Sequence, residues 1–343
     1  MASLAAPATP TPTLQTSDSI SSEFDSRSST AIFTVADVED LISRAFARHD
    51  NIFSTSASSA LFVNTVASVR YWQLHQMDMK NAFLNGDLEV EVYMQPPQDI
   101  SHESGHVCHL RKALYGLKQA PLALFAKFST TIFFFGFVQS AHDFALFVRK
   151  TYKGLILLLL YVDDIIITGD DSIGIMQLKK SLHQTFEMKD LGPLRYFLGL
   201  EVSNHALRKT DNKTMVSPLE PNIKLKSTDG KSLDNPTLCR QLVGGLVYLT
   251  ITRPDITYAV HVVSQFMSNP HTVHFAVVLC ILRYLRGNMH IGVLLPSNSF
   301  LCLSAYSDAD WAGDVNDRKS TTGYCILLGD SLISWYSKKQ KVI

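Results

Sequence analysis

Two adjacent acids stand in the most apolar part of the sequence. Tyr161-Val162-Asp163-Asp164 is flanked by LILLLL on one side and IIIT on the other. Carboxylates in such surroundings are costly unless something compensates them. A tight hairpin between the two apolar segments puts Asp163 and Asp164 at an exposed tip. A divalent cation is a natural partner there, because Mg²⁺ favours one or two carboxylates together with phosphate oxygens. A ligand-free turn is the structural alternative, since Asp is a common turn former. Asp78 stands about 85 residues earlier, in Gln76-Met77-Asp78-Met79-Lys80-Asn81-Ala82-Phe83-Leu84-Asn85-Gly86. Alone it reads as a strand-terminal cap. With the hairpin pair it supplies the second strand that two-metal phosphoryl transfer needs, where carboxylates hold cations roughly 3.5–4 Å apart.

The flanking pattern says which elements must position these acids. Residues 72–79 read as a strand ending at Asp78, and 95–105, with Pro96 and Pro97, as a loop. A long apolar helix is expected over roughly 122–135, and strands over 144–148, 155–161 and 165–168. Ile175, Leu178, Leu182 and Phe186 recur at helical spacing over 173–186, and 196–202 reads as a further strand. The order strand, helix, strand, strand, helix, strand is that of a split βαβ unit. Upstream, residues 1–30 are rich in Ser, Thr, Pro and Ala, a composition expected to stay disordered. Apolar residues over 35–48 predict a short amphipathic helix, 54–59 a polar linker, and 60–70 a further helix. Beyond Pro236 the chain turns helical through 238–267 and 271–286, and from Leu301 the strand pattern returns.

Composition adds bounds. The 343 residues are 46% hydrophobic and 18% charged, as expected of a globular chain with a core. Lys+Arg and Asp+Glu both number 31, so bulk charge gives no support to phosphate binding, and local sites must carry any such case. Cys108, Cys239, Cys280, Cys302 and Cys325 are odd in number and dispersed, which reads as reduced thiols of an intracellular protein. No secretory signal is visible, and the apolar run from Leu155 is broken by Asp163 and Asp164 before it could span a bilayer.

Several blocks together resemble one family. QMDMKNAFLNGDLEVEVYMQPP, VCHLRKALYGLKQAP, LLLLYVDDIIITGD and LGPLRYFLGLEV are similar to successive blocks of copia-type reverse transcriptases, in the family's order and spacing. TRPDITYAVHVVSQFM and LRYLRG resemble its downstream thumb and connection blocks. AYSDADWAGD, DRKSTTGYCILLG and SLISWYSKKQK resemble the start of its RNase H domain. The likeness covers about residues 68–343. It implies an α+β fold: a reverse-transcriptase palm (split βαβ), a helical thumb/connection and an incomplete RNase H-like β segment. It also implies Mg²⁺ as cofactor, two ions, held by Asp78, Asp163 and Asp164, with an RNA/DNA template–primer and deoxynucleoside triphosphates as partners. Phe83 would stand against the ribose 2′-carbon, with a core phenylalanine as the alternative. Tyr115 and Gly116 would back the nascent base pair. Lys118 would meet phosphate, with a solvated lysine as the alternative. Asp308 would be a vestigial RNase H ligand. No membrane partner is implied. No zinc is expected either, because His102, His106, Cys108 and His109 crowd too tightly for a closed four-ligand site.

The sequence also departs from the family. No basic stretch of the form KARLVAKG precedes Asp78; residues 30–60 instead suggest a capsid-side segment joined by deletion. Without those cations the leaving pyrophosphate lacks preorganised partners. The family's QAPRxW is here Gln119-Ala120-Pro121-Leu122-Ala123-Leu124, and Cys239 stands where Tyr is common. The sequence stops before the later Glu and Asp that RNase H chemistry needs, so that activity is expected to be absent.

The expected organisation is a disordered segment with one short helix over 1–60, a palm with partial fingers over 61–215, a thumb/connection over 216–300 and truncated RNase H-like strands over 301–343. The expected function is RNA-directed DNA polymerase, degenerate. The alternative is an inactive retrotransposon remnant that at most binds nucleic acid.

Overall fold

The computed structural model describes residues 52–97, 99–103, 105–197, 200–202, 217–221 and 223–341, together with Ala36 and Asp40. The disorder expected over 1–30, and all but those two residues of the helix expected over 35–48, lie outside the described residues.

The centre is a six-stranded antiparallel sheet made of β1 (His75–Met79), β4 (Val138–Gln139), β5 (Leu146–Lys150), β6 (Leu155–Tyr161), β7 (Asp164–Gly169) and β8 (Met188–Pro193). The strand order is β4-β5-β6-β7-β1-β8. Residues 155–160 are apolar without alternation because both faces of β6 are covered. Ile156, Leu158 and Leu160, with Met77, Met79, Ile165 and Ile167, pack against α2 (Ala120–Phe134) and α3 (Ser172–Phe186). Leu155, Leu157, Leu159 and Ile166 face the other way, onto α1 (Ile52–Arg70).

Helices α2 and α3 begin for local reasons. The Asp171 carboxylate accepts from the Gly174 N–H at 2.9 Å and caps α3, while Pro121 sits in the first turn of α2, where its missing donor costs nothing. In α1 the expected linker over 54–59 is overturned: these residues are helical, and Ser58 and Ser59 are buried. The reason is tertiary. Serine is small enough to lie between two packed layers, and the Ser59 hydroxyl finds a partner in the buried carboxylate of Asp143. Thr65, also fully buried, donates to the Leu61 carbonyl at 2.8 Å.

The fourth strand of the unit also differs. It is Met188–Pro193, paired with β1 through an irregularity between Gln76 and Met77, and not 196–202. Gly192 and Pro193 conceal it, yet both are tolerated at a sheet edge, where one side of the strand needs no partner. Among the described residues, Tyr196–Phe197 (β9) and Leu200–Glu201 (β10) pair only with each other. A separate hairpin joins β2 (Asp87–Met94) to β3 (Cys108–Lys112).

The helical character expected over 238–267 is found, divided into separate pieces. It runs as α4 (Pro236–Leu249), a short turn over Pro254–Ile256, and α5 (Thr257–Ser264). Pro254 keeps the pieces apart, because the residue before a proline, here Arg253, is disfavoured in a helix. Helix α6 (Thr272–Gly287) completes a helical core around Val243, Leu246, Val260, Val278 and Ile281. The C-terminal strands β11 (Leu303–Ala309), β12 (Thr321–Leu328) and β13 (Ser331–Lys339) form an antiparallel meander. Its Ile326, Leu328 and Ile333 join the core that contains α1. That helix is therefore walled by a sheet on each side, which explains why it carries no amphipathic stripe.

Candidate active site

Strands β6 and β7 are joined by a two-residue turn. Tyr161 and Asp164 pair across it, with Val162 and Asp163 at the tip. Val162 has φ of +55°, unfavourable for a β-branched side chain and kept here by the surrounding ladder. The tip is fastened to β1, where the Met79 N–H donates to the Asp163 carbonyl at 2.8 Å. One step back, Asp78 is the direct cross-strand partner of Asp164. Met77 and Met79 point into the core with α2 and α3, so Asp78 and Gln76 lie on the opposite face of β1.

The acids feel one another. Burial pushes the Asp164 carboxyl above the ordinary carboxylate range; a bond from Gln76 opposes this, and the charges of Asp163 and Asp78 add to it. Among the described residues, no hydrogen-bonding or ionic side chain is recorded against Asp78 or Asp163, and no group of three or more acidic, histidine or cysteine side chains forms a ready-made metal cage. The donor set is nevertheless hard oxygen at the end of a sheet. It fits a small divalent cation that takes one or two carboxylates and completes its shell elsewhere.

The other candidate residues fall into two groups. Phe83 lies in a short turn over Ala82–Asn85 and is 8% exposed, within the core; its ring meets that of Tyr115 edge-on, centroids 4.4 Å apart. Tyr115 is 62% exposed, so it presents the open surface above Phe83. Partial desolvation, then the charges of Asp163 and Asp78, push its phenol up, which ties Tyr115 to the acids electrostatically. Gly116 has φ of +93°. The Ala113 N–H donates to the Gly86 carbonyl at 3.0 Å and fastens this loop to the segment after Asp78. Gly86 itself runs against α2: a Cβ there would meet the Leu124 backbone nitrogen at 2.7 Å. Lys118 is exposed. Asp308 belongs to the C-terminal sheet, not to the one that holds Asp78; it pairs with Gly323 and caps its neighbour's N–H.

Two residues near the acids escaped the sequence reading. Gln76 donates from Nε2 to Asp164 Oδ1 at 3.0 Å. Its signal was present, as a polar residue two positions before Asp78 on a strand face. Tyr248 of α4 had no signal. Burial, then the Tyr248 phenol, push Tyr161 up to about 12, so a helix far along the sequence abuts the hairpin.

Residues 38–216 match the model of the reverse transcriptase (RNA-dependent DNA polymerase) family. The chain belongs to that family. Its copia-type character is carried by transposon relatives. This reverse transcriptase chain is 43% identical over 304 residues to the retrovirus-related Pol polyprotein from transposon RE1 of Arabidopsis thaliana, covering 83% of the chain and 21% of the relative. It is 36% identical over 325 residues to the Pol polyprotein from transposon TNT 1-94 of Nicotiana tabacum, covering 86% of the chain and 24% of the relative. It is 30% identical to the putative transposon Ty5-1 protein YCL074W of Saccharomyces cerevisiae, over 77% of the chain and 93% of that protein. The chain thus spans between a fifth and a quarter of the two Pol polyproteins.

The family match opens at residue 38, which assigns 38–60 to the reverse transcriptase and not to a capsid-side segment. The departures from the family's blocks have different settings. Leu122 is 71% exposed at the start of α2, whereas Leu124 and Cys239 are buried in the core. No helix among the described residues is long and apolar enough to cross a membrane.

Proposed function

We propose that this chain is the polymerase core of a copia-type retrotransposon, built for Mg²⁺-dependent, RNA-directed nucleotidyl transfer and degenerate in turnover. In this reading 61–215 is the palm with partial fingers, 216–300 the thumb/connection and 301–343 an RNase H-like segment. The observation that carries it is the Asp78–Asp164 cross-strand pair with Asp163 at the adjoining tip.

Asp78, Asp163 and Asp164 would hold the cations, which supply activation of a primer 3′-hydroxyl and charge neutralisation on the triphosphate. The residues around them have separable tasks. Tyr115 offers an aromatic surface to the incoming nucleotide, and the Phe83 ring fixes it from beneath. Gly116 lets the backbone come close to the nascent base pair. Lys118 is exposed, and in this reading its ammonium meets phosphate. The degeneracy follows from lost cations. Leu122 stands exposed where the family's blocks carry Arg, and the basic stretch before Asp78 is missing. Losing one preorganised partner of developing charge costs roughly 10²–10³ in rate.

Primer extension on poly(rA)/oligo(dT) with Mg²⁺ tests the reading. Slow incorporation that disappears in Asp163→Asn supports it. The exposed Leu122 favours a second reading, a remnant that only binds nucleic acid. No incorporation, but salt-sensitive binding to a hybrid duplex, would establish that one instead.

A further inference from the structure

Gln76 is an unexpected residue for its place. It is the second residue of a central strand, 8% exposed, beside the buried Met77 and opposite Ile166 of β7. A β-branched residue would suit that position better, and a buried amide costs free energy unless it is paired. Gln76 directs its donor at one acceptor, Asp164 Oδ1, at 3.0 Å. A carboxylate accepts only, so the amide nitrogen must be the atom facing it. Asp164 Oδ2 has no donor recorded among the described residues, and Asp164 itself is half-buried beside Asp78.

We infer that Gln76 is a positioning residue: its amide fixes the rotamer of Asp164 and leaves the second carboxylate oxygen available to a cation beside Asp78, its cross-strand partner. This rests on the cation-dependent reading of those acids. Held by one bond, the Asp164 side chain no longer has to be ordered when a cation arrives. Partners of this kind behind a ligand typically contribute 10–100-fold to metal affinity.

The test uses Mn²⁺ as a probe, with bound and free ion separated by electron paramagnetic resonance. Gln76→Met keeps length and apolar volume but removes the donor. It is expected to weaken Mn²⁺ binding by about tenfold or more, and to have no further effect on an Asp164→Asn background. Unchanged affinity in Gln76→Met overturns the proposal, as does an equal loss with and without Asp164. Circular dichroism checks the fold. Should Gln76→Met not fold, Gln76→Leu, which likewise lacks the donor and adds no charge, is put through the same cycle and read by the same criteria. Mn²⁺ binding that Asp163→Asn leaves untouched overturns the cation reading as a whole, a result distinct from failure of Gln76 alone.

Discussion

The indole N–H of Trp335 on β13 donates to the carbonyl of Thr250, the residue that ends α4, at 2.9 Å. A second bond runs beside it: the Lys339 N–H donates to His261 Nε2 on α5 at 3.0 Å. The C-terminal sheet is thereby fastened to the helical region by two specific bonds that use helix-end and imidazole acceptors. Between these elements and α1 lies a cavity of ≈ 570 Å³, with Tyr248, Trp335 and Ser58 in its wall.

Trp335→Phe removes the first bond and retains most of the ring. The loss expected is about 0.5–1.5 kcal/mol, the net worth of one hydrogen bond. Urea unfolding followed by circular dichroism measures it, and an unchanged midpoint would show that the indole N–H contributes nothing.

Stability should fall on mild acidification. Burial holds His75, His261 and His274 below the ordinary imidazole value of 6.5, with the nearby Lys179, Lys339 and His271 charges acting in the same direction on each in turn. The folded protein keeps these rings neutral, while the unfolded chain takes up protons below about pH 6.5. The contribution of these three rings is therefore complete above that value and is lost as pH drops beneath it. The urea midpoint is expected to be lower at pH 5.5 than at pH 7.5. His261→Gln, which retains an acceptor for Lys339, should shrink the difference.

Asp143 works in the opposite sense. Burial raises its carboxyl pKa, while the Ser59 hydroxyl and the Ala145 N–H oppose the rise. A carboxyl with a raised folded-state pKa stabilises most at low pH and loses that contribution as pH rises through the folded value. Asp143→Asn, which removes the charge and keeps an acceptor, is expected to raise Tm at pH 7 and to do less at pH 4. Calorimetry at the two pH values checks the sign.

Two glycines separate two costs. Gly86→Ala should lose about 1–3 kcal/mol by overpacking, because the added Cβ meets the Leu124 backbone nitrogen at 2.7 Å. Gly116→Ala meets nothing within 4 Å, so only its φ of +93° is penalised, by about 1–2 kcal/mol. Thermal unfolding of both variants measures the two losses, and helix α2 should fray in Gly86→Ala alone.

The acids and their strands were legible because the information is local. Apolar runs on both sides of Asp163 and Asp164 require a hairpin, and Asp78 stands near the end of a short strand. Elements whose identity comes from elsewhere in the molecule were not legible. Ser58 and Ser59 look like linker until Asp143 and two sheets surround them. Residues 188–193, with Gly192 and Pro193, carry no strand signal of their own until β1 supplies a ladder. Tyr248 and Gln76 matter only through what they touch, and for Tyr248 that partner lies far away in sequence.

The two walls of α1 have very different birthdays on the ribosome. The helix ends at Arg70, while β13 begins at Ser331, about 260 residues later. At 5–20 residues per second that separation is a wait of roughly 13–50 s, with Phe62, Val63 and Val66 lacking one flank. A nascent chain carrying so apolar a rod is a natural client for a holding chaperone.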